Sequence, residues 1–490
     1  MNTTSTDPRR QRVMIKATPP APSQISESDW DASFDQALAA ELRRRATRRR
    51  AAFWLLAFVF AATMLGTTLP TPLYVIYQAR WHFAASIVTL IFAVYAAGVL
   101  AALLLAGRSS DQAGRKPVLA VALAASALST VVFIFAPDVG VLLAGRIVSG
   151  LSAGLMTGTA TAALTELVPA SLVPASLVPA SQVPASLVPA SPLRASAGRR
   201  ASLVATAANM GGLGLGALVA GLFAQYAPHP TTLVFVVYLA VLAIAAVCLR
   251  FVPETVSHRQ RPALRLAGFS LPEQGRGEFI AAAAAAFAAF SLLGLFSALA
   301  PTFLGSIMHE QNHAVQGGAV FLIFGVGTLT QLLVSRFSSR RVVLAGLGLF
   351  LAGLGLIVAA LAQAGVALFL AGTVVAGVAV GAVFMGSLAT ANRLAPPGRR
   401  GQAVSAFFVA CYCGLVIPVV GVGVASQFIG DFRSVLALSI LLAVLCVFAL
   451  TSTARASTAR TSTAQASTAQ ASTARTSTAR AVASDPEASP

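Results

Sequence analysis

Three short constellations in this 490-residue sequence bring together residue types that could do chemistry. His309-Glu310-Gln311-Asn312-His313 has the H-E-x-x-H spacing, in which two imidazoles on one helical face ligate zinc and the glutamate serves as general base. Arg146 stands within a long apolar stretch, where an ionisable side chain is costly and is by default a functional hypothesis. Asp111 and Arg115 place opposite charges in the segment Gly107-Arg-Ser-Ser-Asp111-Gln-Ala-Gly114-Arg115-Lys116, between two apolar runs. There they could clamp or release the ends of helices.

Each constellation has a plainer reading beside the chemical one. The H-E-x-x-H string needs both imidazoles on one helix and a third ligand, yet it meets Gly317-Gly318 within a turn, and no acid in the later apolar runs offers a ligand. No metal site is therefore assigned. A membrane zinc protease built on His309, Glu310 and His313 stands as the alternative of another class. Arg146 lies about one turn from the outer surface, so it either serves transport or snorkels to the headgroups. The four cysteines, Cys248, Cys411, Cys413 and Cys446, all fall in apolar runs and read as small buried hydrophobes.

The elements that must hold these residues follow from composition. Hydrophobic residues make up 57% and charged residues 10% of the chain, far from the roughly one quarter charged of a soluble domain. Apolar runs recur at 53–77, 84–106, 117–136, 139–164, 203–224, 231–251, 279–304, 315–335, 342–362, 366–389, 403–427 and 433–451, each long enough to cross a hydrocarbon core of about 30 Å. The expected fold class is an all-α membrane protein of twelve transmembrane helices.

The net charge of +18 would suggest nucleic acid in a soluble protein, but its placement argues otherwise. Of 34 Lys and Arg, Arg80 and Arg433 fall in external loops and Arg146 inside a span; the other 31 fall where a cytoplasmic N-terminus places the inside. That is the positive-inside pattern. It predicts both termini in the cytoplasm, a lipid bilayer as partner, and no nucleic acid.

Along the chain, 1–50 reads as a cytoplasmic tail, in which Trp30, Phe34, Leu38 and Leu42 suggest a short amphipathic helix beside the alternative of a solvated tail, 51–251 as one six-helix bundle, and 252–278 as a central cytoplasmic loop. Residues 279–451 read as a second six-helix bundle and 452–490 as a low-complexity tail. An internal repeat supports the division: LAGRIVSGLSAG at 143–154 matches LAGTVVAGVAVG at 370–381, an offset of 227, while AGRR at 197–200 matches PGRR at 397–400, an offset of 200. The difference is an insertion in the first half, the LVPAS pentapeptide tract of 167–193.

The segment Gly107, Asp111, Gly114, Arg115, Lys116 fits G-x3-D-x2-G-R-[RK] and resembles the signature of the major facilitator superfamily. Arg146, Gly150 and Gly154 resemble that family's helix-4 motif. Gly212, Gly216 and Gly221 resemble its antiporter motif in helix 5, with Ala217 in place of proline and Ala220 in place of glycine. Val252-Pro253-Glu254-Thr255 ends the sixth run as in many members, and Arg336-Phe-Ser-Ser-Arg340-Arg341 stands where a second signature belongs, without its Asp and Gly.

The resemblance implies two six-helix bundles around a midplane cavity, alternating access, no cofactor and no enzymatic activity. It further implies proton-coupled efflux of a hydrophobic or amphiphilic small molecule across a bacterial cytoplasmic membrane, with protons as co-partner and no oligomer required. The polar and proline positions Thr67, Thr68, Pro70, Pro72, Tyr74, Asn209, Gln331, Tyr412 and Pro418 are the candidate cavity lining. No carboxylate stands at mid-span, so a sugar or metabolite importer or uniporter is the competing expectation.

Overall fold

In the computed structural model, residues 27–106, 109–168, 192–256, 272, 275–396 and 400–455 are described. The chain divides into two compact units, Met1–Ala51 and Ala52–Pro490. The described part of the first is the opening of a helix, Glu27–Thr68, on whose exposed surface Arg45 Nε donates to Glu41 Oε1 at 2.8 Å.

From Arg43 onward the described residues form helices long and apolar enough to cross a membrane. Among the described residues there are 12 such spans: span 1 Arg43–Trp81, span 2 Ser86–Leu104, span 3 Arg115–Ile134, span 4 Val139–Leu167, span 5 Gly198–Tyr226, span 6 Pro230–Phe251, span 7 Arg276–Ala298, span 8 His313–Val334, span 9 Ser339–Gln363, span 10 Val366–Leu394, span 11 Gln402–Ile429 and span 12 Asp431–Arg455. Several exceed the apolar runs by a few residues at each end. Hydropathy marks the part that must sit in hydrocarbon, whereas the helical hydrogen bonds continue into the charged termini.

Spans 1 to 6 and spans 7 to 12 form two six-helix bundles. In the first, span 4 packs against spans 2 and 3, and span 3 against span 6; in the second, span 10 packs against spans 7, 8 and 9, and span 7 against span 11. The bundles meet chiefly through two crossed pairs, span 5 with span 8 and span 2 with span 11. Small residues bring the backbones close, since helices in lipid associate by packing rather than by expulsion of water.

Local sequence sets the ends. Asp138 caps span 4, its side chain accepting from Val141 N at 3.0 Å, and Asn312 caps span 8, accepting from Ala314 N at 2.9 Å and Val315 N at 3.3 Å. In span 1 the helix is interrupted at Leu69 and restarts as Pro70–Trp81, with proline at its first position, where the missing N–H is not needed. Span 7 is likewise followed by a separate short helix, Ala300–Ser306, again opened by a proline.

Candidate functional site

Arg146 is the centre of the first bundle's polar interior. Its side chain is 1% exposed, so it does not snorkel: the charge is held inside the bundle. Nε donates to the Tyr74 hydroxyl at 2.5 Å, and Nη1 donates to the backbone carbonyl of Thr67 at 2.5 Å. Three rings surround the guanidinium, with centroids 5.3 Å (Tyr74), 5.4 Å (Tyr95) and 5.8 Å (Phe133) from Cζ. Quadrupoles and carbonyl dipoles thus stand in for a counter-ion. Nη2 is buried without a hydrogen-bond partner, a donor available to an incoming acceptor.

The broken first span explains how this site forms. Thr67 lies two residues before the interruption at Leu69, and its carbonyl oxygen accepts from the guanidinium. Gly150 and Gly154 sit one and two turns beyond Arg146 and bring span 4 onto span 2. A Cβ on Gly154 would meet Val99's carbonyl oxygen at 2.6 Å, and one on Gly150 would overlap the carbonyl of Tyr95. The close approach is what carries Tyr95 to the cation.

At one end of the bundle, the signature segment forms a clamp. Span 3 starts at Gly114 (φ 104°), a backbone conformation suited to glycine, with no side-chain cap of its own. The Glu254 carboxylate caps it instead, accepting from Arg115 N at 2.8 Å and Lys116 N at 3.2 Å. Burial opposes the charge on Glu254, but backbone N–H donors from Val256, Arg115, Lys116 and Thr255 outweigh it and hold the carboxyl below its ordinary range. The Arg115 guanidinium donates from Nη2 to Glu166 Oε1 at 2.8 Å and from Nη1 to Ser110 Oγ at 2.6 Å. Glu166 also accepts from the Thr255 hydroxyl, and Lys116 Nζ donates to the Arg250 carbonyl at 2.8 Å. Spans 3, 4 and 6 are thereby tied together. Gly107 lies outside the described residues; Asp111 lies in the short helix Ser109–Ala113.

At the opposite end the bundles are closed against each other. A Cβ on Gly221 would lie 2.6 Å from the His313 carbonyl oxygen and 2.9 Å from Gly317 Cα, so spans 5 and 8 touch through backbone. Gly212 and Gly216 face span 1 instead, against the carbonyls of Ala61 and Leu65, and the Thr68 hydroxyl donates to Leu213 O at 2.5 Å. The glycine stripe of span 5 therefore serves two neighbours. Gly423 abuts Thr89, and Gln427 Nε2 donates to Ser86 Oγ, closing spans 2 and 11.

The remaining candidate lining residues separate. Pro70 and Pro72 are buried in the helix that carries Tyr74. Gln331 donates to the Met210 sulfur at 2.9 Å, bridging the two bundles beside half-buried Asn209. Tyr412 packs edge-on against Phe290 at 6.1 Å, within a cluster continued by Phe384, and Pro418 is buried in span 11. Glu166, Tyr95, Phe133 and Gly317 are the site residues that sequence reasoning did not pick. Only Glu166 had a signal, as an isolated acid in the last turn of an apolar run.

The H-E-x-x-H string does not form a zinc site. His309 is in a loop with a left-handed backbone (φ 54°), and helix begins only at His313. Glu310 accepts from Asn312 N at 2.9 Å, and His313 Nδ1 lies 3.0 Å from Gln316 Oε1. Among the described residues no group of three His, Cys, Asp or Glu could hold a metal ion. The string shapes the start of span 8.

A family model described as Major Facilitator Superfamily matches residues 56–335 and 327–486. A triacylglyceride transporter of Mycolicibacterium hassiacum is 41% identical over 69 residues, 14% of this chain and 13% of that protein. The match thus spans about an eighth of that relative's length. Among solved structures, the nucleoside transporter NupG overlays with a TM-score of 0.59 at 14% identity, covering 82% of this chain and 99% of its own. A bacterial homologue of the human lysosomal transporter Spinster, inward-facing and unoccupied, gives 0.58 at 15% identity over 83% of this chain and 97% of its own. The human organic anion transporter MFSD10 gives 0.58 at 15% over 82% and 99%.

Proposed function

We propose that this chain, which belongs to the major facilitator superfamily and is a transporter, exports a hydrophobic or amphiphilic small molecule from a bacterial cell in exchange for protons. The observation that carries the alternating-access part is the closed seam at Gly221 and Gly317, opposite the end clamped by Arg115 and Glu166. Two bundles joined by such a seam can rock about a site between them and expose it alternately to the two sides. The positive-inside charges at the clamp end support a cytoplasmic clamp and cytoplasmic termini. The aromatic cluster of Phe290, Phe384 and Tyr412 supports an apolar cargo, in line with the triacylglyceride named for the short-match relative.

Proton coupling rests on Arg146 and its free Nη2 donor, which would stabilise an anion or a proton-releasing group in the first bundle. One observation favours a second reading. Within the spans, acids stand only in terminal turns, at Glu166, Glu278 and Asp431, so no mid-span carboxylate is available to carry the proton. Import or uniport of a metabolite would need none.

The deciding experiment starts from a susceptibility screen of overexpressing and deletion strains. Compounds to which the strains differ are then added to inverted vesicles holding an acid-inside pH gradient. Antiport discharges the gradient on addition of the compound, and Arg146→Ala abolishes the discharge. Compound movement that ignores the gradient in the wild type overturns antiport and leaves the uniport reading.

A further inference from the structure

Between spans 3 and 6, on the face away from the second bundle, lies a groove of about 330 Å³ whose walls are entirely alanine and leucine, among them Ala120, Ala124, Ala127, Leu239, Ala243 and Ala246. Ala120, Ala124, Ala243 and Ala246 are exposed, so the groove opens outward. Span 6 is the least covered of the spans, with 33% of its window buried, which leaves this face to the hydrocarbon. Protein interiors close such gaps with larger side chains. Here small residues keep it open over Leu239 to Leu249, a helical length of about 15 Å.

One end of the groove is cationic. Lys116 is four residues before Ala120, and Arg250 is four residues after Ala246, so each basic side chain stands one turn beyond a lining alanine on the same helical face. Lys116 Nζ donates to the Arg250 carbonyl at 2.8 Å, which fixes the ammonium at this end with donors to spare, and Arg250 itself is exposed. The neighbouring Glu254 carboxylate is engaged by backbone N–H groups of Arg115, Lys116, Thr255 and Val256.

We infer that this groove binds one anionic phospholipid, its acyl chain between spans 3 and 6 and its phosphate between Lys116 and Arg250. An ammonium and a guanidinium at headgroup depth select a net negative headgroup over a zwitterionic one. The lipid is more than annular, because Lys116 also donates its backbone N–H to Glu254: the headgroup charge acts on a residue in the first turn of span 3. The composition of the membrane thereby biases the clamp.

Purified full-length protein in detergent is titrated with dioleoylphosphatidylglycerol, dioleoylphosphatidylcholine or sodium phosphate. Thermal unfolding and intact-complex mass spectrometry are read together. Phosphatidylglycerol should raise the unfolding temperature saturably with one tightly held lipid per chain, and the other two should not. Arg250→Gln should weaken the apparent affinity about fivefold. Ala243→Leu, which fills the groove, should remove the saturable step while leaving looser lipid adducts. Equal stabilisation by the two lipids, protection by phosphate alone, or an unaffected Ala243→Leu variant would overturn the site. If Ala243→Leu does not fold, Ala124→Leu and the contrast between the lipids on the Arg250→Gln protein decide the question in the same way.

Discussion

Arg115 and Glu166 are joined by an ion pair of 2.8 Å between the first residue of span 3 and the last turn of span 4, with side-chain exposures of 12% and 34%. It is the charge pair that the clamp end of the first bundle has to break if that end rearranges during transport. Glu166→Gln should leave membrane abundance near wild type while transport falls. Exchanging the charges, Arg115→Glu with Glu166→Arg, should recover part of the loss. A double-mutant cycle on transport rates should show a coupling of about 1 kcal/mol; strict additivity would show that the pair does not act as a unit.

Glu254 sets a pH signature. Its carboxyl is held below the ordinary value of 4.5 in the folded chain, so its contribution is full above that value and disappears as pH falls through the lowered one. Thermal stability of wild type should exceed that of Glu254→Gln at neutral pH, and the difference should shrink only once the pH passes below the ordinary carboxylate range. A gap that instead closes between pH 7 and 6 would mean another group governs the cap.

Arg146 separates function from stability. A buried cation without an acid is costly, so Arg146→Met should unfold at the same or a higher temperature than wild type. Transport should nevertheless drop on the order of tenfold or more. Arg146→Lys should do nearly as badly, because a single ammonium nitrogen cannot reproduce the fork in which Nε, Nη1 and Nη2 point in fixed, separate directions. Normal transport by the lysine variant would return Arg146 to a space-filling role.

The seam of spans 5 and 8 tests closure. Gly221→Ala adds a methyl 2.6 Å from the His313 carbonyl and should slow transport at unchanged abundance. Gly211→Ala, ten residues earlier on the same helix, has nothing within 4 Å of the added methyl and should be silent. Cysteine accessibility of Ser86 and Gln427 should rise in the Gly221 variant if the outer end is held ajar.

How far the sequence carries depends on what each residue needs. Apolar runs declared all the spans, because spanning a bilayer is a requirement each helix meets alone. The signature segment named Arg115 as part of a switch, yet its partner lies 51 positions away, on the far side of a loop whose length says nothing of distance. Val252-Pro253-Glu254-Thr255 was visible as a fragment, but only the structure assigns Glu254 to the bare N-terminus of span 3. Arg146 was legible as a buried charge; whether it snorkelled was not, since that turns on the break at Leu69 and on the approach that Gly150 allows. The H-E-x-x-H spacing implies one face only inside a helix, and here the helix starts at its last residue. The repeat offset of 227 carries Glu166 onto Arg393, which pairs with Glu278 of span 7. The halves share a plan but not a charge pattern.

The partners of Arg146 are a hydroxyl, a carbonyl and aromatic rings, none of which bears a net charge. Its positive charge is therefore a fixed element of the first bundle, lying within the electric field across the membrane. If the bundles rock as proposed, each tilt carries that charge through some fraction of the potential drop. A full traverse would be worth about 2.3 kcal/mol per 100 mV, and a shift through a tenth of the field about 0.2 kcal/mol. On that reading an energised cell favours the tilt that moves Arg146 inward, so voltage biases the resting orientation before any cargo binds.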